Sequence, residues 1–186
     1  EYLEMTNETV VPGNTSKWAH LSRESYAVGP LARCNLNFEL LHSEARRVAA
    51  RLGLAPVCHN PFMAHVARLV ECLHCVHDAI RVIDEIVSSA DEPAMAAVAP
   101  IAANGVGAVE APRGILFHHY RYGGDGRIGS ANCVVPTAQN NGNIHRDLPD
   151  FVRQMVESGV NDDQRLELLC SMLVRSYDPC LSCSVH

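Results

Sequence analysis

The amino-acid pattern predicts a mainly α-helical protein with a small β-sheet, an α+β fold, and three observations predict it. Apolar residues at 62, 66, 69, 73, 76, 80, 83 and 87 keep the 3.6-residue period of one long helix. Two further amphipathic segments, roughly 144–157 and 162–175, close the chain, and Leu166, Leu169, Met172 and Leu173 mark the core face of the second. Before them lie three short runs, 106–109, 115–122 and 127–135, that read as strands.

Taken in order, residues 1–33 alternate short apolar pieces with Pro12-Gly13-Asn14 and Gly29-Pro30, the pattern of strands and turns. Ser43 is the expected N-cap of a helix over 44–54, and Asn60-Pro61 opens the long helix. The Ala- and Pro-rich stretch 88–104 has no period and reads as a connection. Gly123-Gly124-Asp125-Gly126 is a turn signal between the last two strands, and the small sheet is expected to present two loops, Glu110-Ala-Pro-Arg-Gly114 and Pro136-Thr-Ala-Gln-Asn140 (PTAQN). Asp178-Pro179 stops the last helix, because proline cannot continue the hydrogen-bond ladder and disfavours helix at the residue before it.

With 186 residues and 47% hydrophobic content the chain can bury a core, and its length suggests one domain, 1–186. A net charge of −6 and a single lysine, Lys17, argue against a nucleic-acid partner. No stretch approaches the ~18–20 apolar residues of a membrane span, and no signal-peptide pattern opens the chain, so a cytoplasmic protein is expected. The chain begins at Glu1 and not at Met, which together with the resemblance given below suggests part of a larger polypeptide or one piece of an assembly.

Eight cysteines could make disulfides, but Cys34, Cys58, Cys133 and Cys170 sit in apolar or helical stretches where a free thiol packs as a small hydrophobe. Cys72 and Cys75 fall in the long periodic helix and are expected to pack in its core. The tail is different. Asp178-Pro-Cys180-Leu-Ser-Cys183-Ser-Val-His186 places two thiols and an imidazole within seven residues, a soft-metal pattern that by itself leaves nickel, zinc and thiol redox chemistry open.

Other blocks narrow the choice. Glu110-Ala-Pro-Arg-Gly114, His118-His-Tyr120, Asn132-Cys-Val-Val-Pro-Thr-Ala-Gln-Asn140 and the cysteine tail occur in that order, with Tyr26-Ala-Val-Gly-Pro-Leu-Ala-Arg33 and Asn35-Leu-Asn37 upstream. Together these resemble the carboxy-terminal half of the large subunit of nickel-iron hydrogenases, most like the soluble cytoplasmic branch linked to NAD(P), sulfur or heterodisulfide partners. The resemblance covers roughly Val10 to the end. It implies the helical-bundle core of that subunit, and reversible cleavage of H2 into protons and electrons at a Ni-Fe centre whose iron carries CN and CO.

What the resemblance implies for single residues follows the motifs. Cys180 would be a terminal nickel ligand and proton acceptor, and Cys183 a bridging ligand. The family's amino-terminal CxxC has no counterpart here, so the other two thiolates would come from a segment not present in this chain. Arg113 matches the arginine over the open metal site, with Asp178 as its partner, while Pro112 and Thr137 would line the pocket of the diatomic ligands. His186 would hold a magnesium (or iron) ion, helped by the backbone carbonyl of Cys133 and a glutamate of the absent half. His118 matches a position near the site; the other histidines read as surface or core. Implied partners are a small subunit carrying iron–sulfur clusters, the amino-terminal part of the large subunit, and further electron-transfer subunits linked to NAD(P), flavin or heterodisulfide. Competing readings are a zinc-binding module built on the tail, a thiol–disulfide protein, and a hydrogenase-like subunit without catalysis. A redox CxxC is expected at a helix start, and here the pair follows a helix and Pro179.

Overall fold

The computed structural model describes residues 6–13, 15–21, 25–89, 95, 97 and 99–184. The Pro12-Gly13 turn folds β1 (Thr6–Val10) back on β2 (Lys17–Leu21) as an antiparallel pair with Val10 opposite Lys17. Gly29-Pro30, read from the pattern as a turn, instead starts a helix, α1 (Pro30–Asn37), because proline at the first helical position needs no N–H partner and brings a preset φ. A 3-10 turn leads to α2 (Ser43–Arg51). Its cap is His42 and not Ser43. The imidazole Nδ1 accepts from the Glu44 N–H at 3.3 Å, while the ring stacks on His77 at 3.7 Å and the His42 N–H donates to His74 Nδ1 at 3.2 Å. Those contacts fix the ring where a serine hydroxyl would otherwise serve.

The long helix, α3 (Ala64–Ser88), packs on α1 and α2 through small side chains. Ala45, Ala49 and Ala67 are fully buried and let the axes approach, and Cys34, Leu41, Leu54 and Val70 fill the space between. Burial first, then the Glu71 charge, push the Cys34 thiol up to about 11, so it stays a protonated core residue at neutral pH. Past Leu73 the predicted core face finds no cover. Val76, Ile80, Ile83 and Val87 are 57, 54, 58 and 80% exposed. Cys72 and Cys75, expected in the core, are exposed as well. The period was right for helix, but among the described residues Val76, Ile80, Ile83 and Val87 stay open to solvent, and the cover seen on that half is the His42 ring on His77.

Residues 99–102 run without regular structure into β3 (Ala103–Ala111), followed by β4 (Gly114–Tyr122) and β5 (Ile128–Val134), an antiparallel sheet in the order β3-β4-β5. Ala111 pairs with Gly114, so Pro112-Arg113 is a two-residue hairpin tip. The Gly123–Gly126 turn closes with the Gly123 N–H on Arg127 O at 2.8 Å. The next helix, α4 (Pro136–Glu157), begins eight residues before the expected 144, so the PTAQN block is its first turn and not a loop. Asn140, Asn141, Gly142 and Asn143 are poor helix formers that hid this start. α5 (Asp163–Ser176) is capped by Asp162 Oδ2 accepting from the Arg165 N–H at 2.9 Å. Leu173 is buried as expected, whereas Met172 is 45% exposed. A single helical turn, α6 (Leu181–Ser184), ends the described chain. Among the described residues no helix is long and apolar enough to cross a membrane.

Candidate metal centre

Three segments far apart in sequence meet at the cysteine tail: the β3–β4 hairpin tip, the first turn of α4, and residues 178–184. The tip is fixed by close packing. Gly114, at φ 142, lies so near Val28 that an added Cβ would sit 2.4 Å from its Cγ2, and a Cβ on Gly29 would meet the Arg113 carbonyl oxygen at 2.8 Å. Only glycine takes this conformation without strain. Gly114→Ala is therefore expected to destabilise the protein by about 1–3 kcal/mol, read as a lower thermal midpoint. Gly124→Ala, with nothing within 4 Å, serves as the control. Equal midpoints for the two variants would show that the tip is not tightly held.

From this tip the Arg113 Nε–H reaches Asp178, 3.0 Å from its carbonyl oxygen and 3.2 Å from Oδ2. Asp178 has φ 52, the left-handed conformation that aspartate tolerates better than most residues. Arg68 Nη2 of α3 stands 4.0 Å from the same Oδ2, so the carboxylate lies between two guanidinium groups. Sequence reasoning missed Arg68; its only signal was an arginine near the start of an apolar-periodic helix.

The first turn of α4 supports the tail from the other side. Thr137, 4% exposed, accepts at Oγ1 from the Cys180 N–H at 3.1 Å. Buried Gln139 donates to Ile115 O at 2.7 Å and accepts from Tyr26 OH at 3.0 Å. Asn140 holds both the N–H and the carbonyl of Val28, at 2.9 and 3.2 Å. These amides answer polar groups that burial would otherwise orphan, and they locate segment 26–28 against the hairpin. Behind them Tyr177 donates to Asp147 and accepts from Asn143 Nδ2 at 2.6 Å; burial and Asp147 push its phenol well above the ordinary range.

Cys180 and Cys183 converge, with Cα atoms 5.3 Å apart and their sulfurs joined as a disulfide. The other described cysteines are free. Contrary to the expectation that the pair lies away from a helix start, Cys180 immediately precedes α6; four residues, however, make too short a helix to tune a thiol as a long one does. Reduced in place, the same two sulfurs would face one point, the geometry a soft metal needs. They form an incomplete set. Among the described residues no three His, Cys, Asp or Glu side chains gather to hold a metal ion. Cys133 pairs across the sheet with His118, whose Nδ1 is 3.4 Å from its sulfur and 2.7 Å from Tyr120 OH. Pro112 forms the tip with Arg113, and His186 lies outside the described residues.

A model of the nickel-dependent hydrogenase family matches residues 16–186. The chain belongs to that family. It is 33% identical over 187 residues to the sulfhydrogenase 1 subunit alpha of Pyrococcus furiosus, covering 100% of this chain and 42% of that protein. It is 33% identical over 199 residues to the NAD-reducing hydrogenase HoxS subunit beta of Cupriavidus necator, covering 100% of this chain and 40% of that one. Among solved structures, an NAD+-reducing NiFe hydrogenase in its H2-reduced state superposes with a TM-score of 0.77 at 30% identity, over 100% of this chain and 42% of that chain. This hydrogenase-family chain thus spans about two fifths of the length of these relatives. A Ni-Fe-Se hydrogenase from D. vulgaris Hildenborough shares the fold at a TM-score of 0.68 and 24% identity, over 94% of this chain and 39% of that one.

Proposed function

We propose that the chain is the carboxy-terminal part of the catalytic subunit of a soluble, cytoplasmic nickel-iron hydrogenase that interconverts H2 with protons and electrons. The observation that carries this reading is the meeting of the Arg113–Asp178 pair, the Thr137 hydroxyl and two convergent cysteines, from segments 43 and 65 residues apart. When bound, a Ni-Fe centre bearing CN and CO supplies the site at which H2 is split and two electrons are taken up.

This chain's residues hold and polarise that site. Cys180 and Cys183, reduced, supply half of a four-thiolate set, and the amino-terminal part of the subunit supplies the rest. The Cys180 thiolate takes a proton as H2 splits. Arg113, anchored through Nε on Asp178, keeps its two terminal nitrogens for a cyanide ligand and holds a positive field over the site. Thr137 fixes the Cys180 backbone, and Pro112 would line the pocket of the diatomic ligands. His186 and the Cys133 carbonyl hold a magnesium (or iron) ion with several waters, as a hard ion prefers. Iron–sulfur clusters of a small partner subunit would take up the electrons, and further electron-transfer subunits would accept them from there.

Infrared spectroscopy with metal analysis tests the reading. Assembled with the complementary amino-terminal part and the small subunit, the chain is expected to carry nickel and iron with CN and CO bands. Purified alone, even with Cys180–Cys183 reduced, it should carry no stoichiometric nickel–iron centre, because two thiolates leave nickel half-ligated. The disulfide favours one second reading, a dithiol–disulfide couple, to which assembled protein free of nickel would point.

A further inference from the structure

Arg113 can act only from where the hairpin tip puts it, and the tip has a holder outside the metal site. Arg33, on α1, has a side chain only 19% exposed, and every one of its guanidinium donors is used. Nε and Nη2 bind the two carboxylate oxygens of Glu71 on α3, at 2.7 and 2.8 Å. Nη1 binds Glu110 Oε2 at 2.7 Å and the Ala111 carbonyl at 3.0 Å, and Nη2 also binds the Pro112 carbonyl at 3.0 Å. Five donors meet five acceptors, the full capacity of a guanidinium. Three of these acceptors belong to residues 110–112, which lead directly into Arg113. The other two belong to the helix that carries the core.

We infer that Arg33 is the positioning residue for Arg113, a clamp that ties the β3–β4 hairpin to α3 and so sets where the Arg113 guanidinium points. This rests on the role proposed above for Arg113. Burial works against the Arg33 charge, but the hydrogen bonds and charges of Glu71 and Glu110 outweigh it, so Arg33 keeps its proton. α1 adds a second hold, since its N-terminal Gly29 abuts the Arg113 carbonyl. Lysine at 33 would keep the charge and lose the planar fork, and three donors on one nitrogen cannot span acceptors on two elements.

The test uses the assembled complex and the variants Arg33→Lys, Arg113→Lys and their double. Arg33→Lys is expected to keep its nickel and iron, to shift the CN infrared bands in the same sense as Arg113→Lys, and to lower turnover by about 10-fold. The double variant should fall within about twofold of Arg113→Lys alone, because a clamp has nothing left to position once its arginine is gone. Independently of turnover, backbone hydrogen exchange at residues 111–116 should accelerate in Arg33→Lys. Multiplying losses in the double variant, or unchanged exchange at the hairpin, would overturn the inference. Should Arg33→Lys fail to assemble, Glu110→Gln, half exposed and removing one charge from the clamp, is expected to accelerate the same exchange; unchanged exchange overturns it equally. Full turnover in Arg113→Lys sinks the catalytic reading instead, and the exchange data still decide whether Arg33 holds the hairpin.

Discussion

Cys180→Ala and Cys183→Ala are each expected to abolish H2 turnover in the assembled complex together with its nickel, while the fold survives. Neither thiol supports the helical core: Cys183 is exposed, and the buried cluster of α1, α2 and α3 contains no residue beyond Val70 in sequence. What holds the tail is backbone, through the Cys180 N–H on Thr137 and Ser184 Oγ donating to the Cys180 carbonyl at 3.2 Å, and alanine preserves both backbone groups. Circular dichroism should match the parent while metal analysis and hydrogen uptake fall to background. A variant that keeps turnover would remove its cysteine from the metal site, and one that loses helix content would mean the tail has a structural task.

The second large effect belongs to Arg113. One nitrogen, Nε, is held by the carbonyl and the carboxylate of Asp178, which leaves the two terminal nitrogens for the site. Lysine has a single nitrogen and must choose. Arg113→Lys should therefore retain nickel, iron and both CN and CO bands, the CN bands shifted but present, while turnover drops by at least ~10²-fold, or ~2.7 kcal/mol of lost transition-state stabilisation. Because the arginine binds no metal in this reading, the loss is one of field and donor geometry. Dye reduction by H2 at matched nickel content measures it, and turnover within about threefold of the parent would take Arg113 out of the mechanism.

Much of the site was legible because its parts are short and chemically marked. Arg113, Thr137 and Cys180 could be nominated from their blocks, and the tertiary structure brings them to one place through Asp178 and the Cys180 backbone. The residues that hold those blocks were not legible. Arg33 and Glu71 are ion-pair partners 38 residues apart, and Asn140 reaches Val28 across 112. Such pairings depend on packing, not on local pattern. Glu71 did leave a trace, a carboxylate among Val, Leu and Cys on a helix face turned inward, where a charge is costly unless paired. Periodicity placed the long helix well but misjudged its cover: the 3.6-residue repeat reports that a face is apolar, not which chain buries it. The start of α4 was missed for the opposite reason, since its Asn-rich first turns are stabilised by buried amide contacts that propensity does not count.

The same separations carry a kinetic consequence. Contacts that build the core of α1, α2 and α3 join residues between 31 and 73, so they close short loops and can form early. Those that build the candidate site close over 43, 65 and 112 residues, at an entropy cost that grows by about 0.6 kcal/mol for each doubling of the loop. The expected order is a helical nucleus first and the Arg113, Thr137 and Cys180 segments drawn together later, which pulse-labelling hydrogen exchange during refolding would read. In that order the two cysteines would be among the last parts of the chain to be held, so that a metal could be delivered to them without unfolding anything already made.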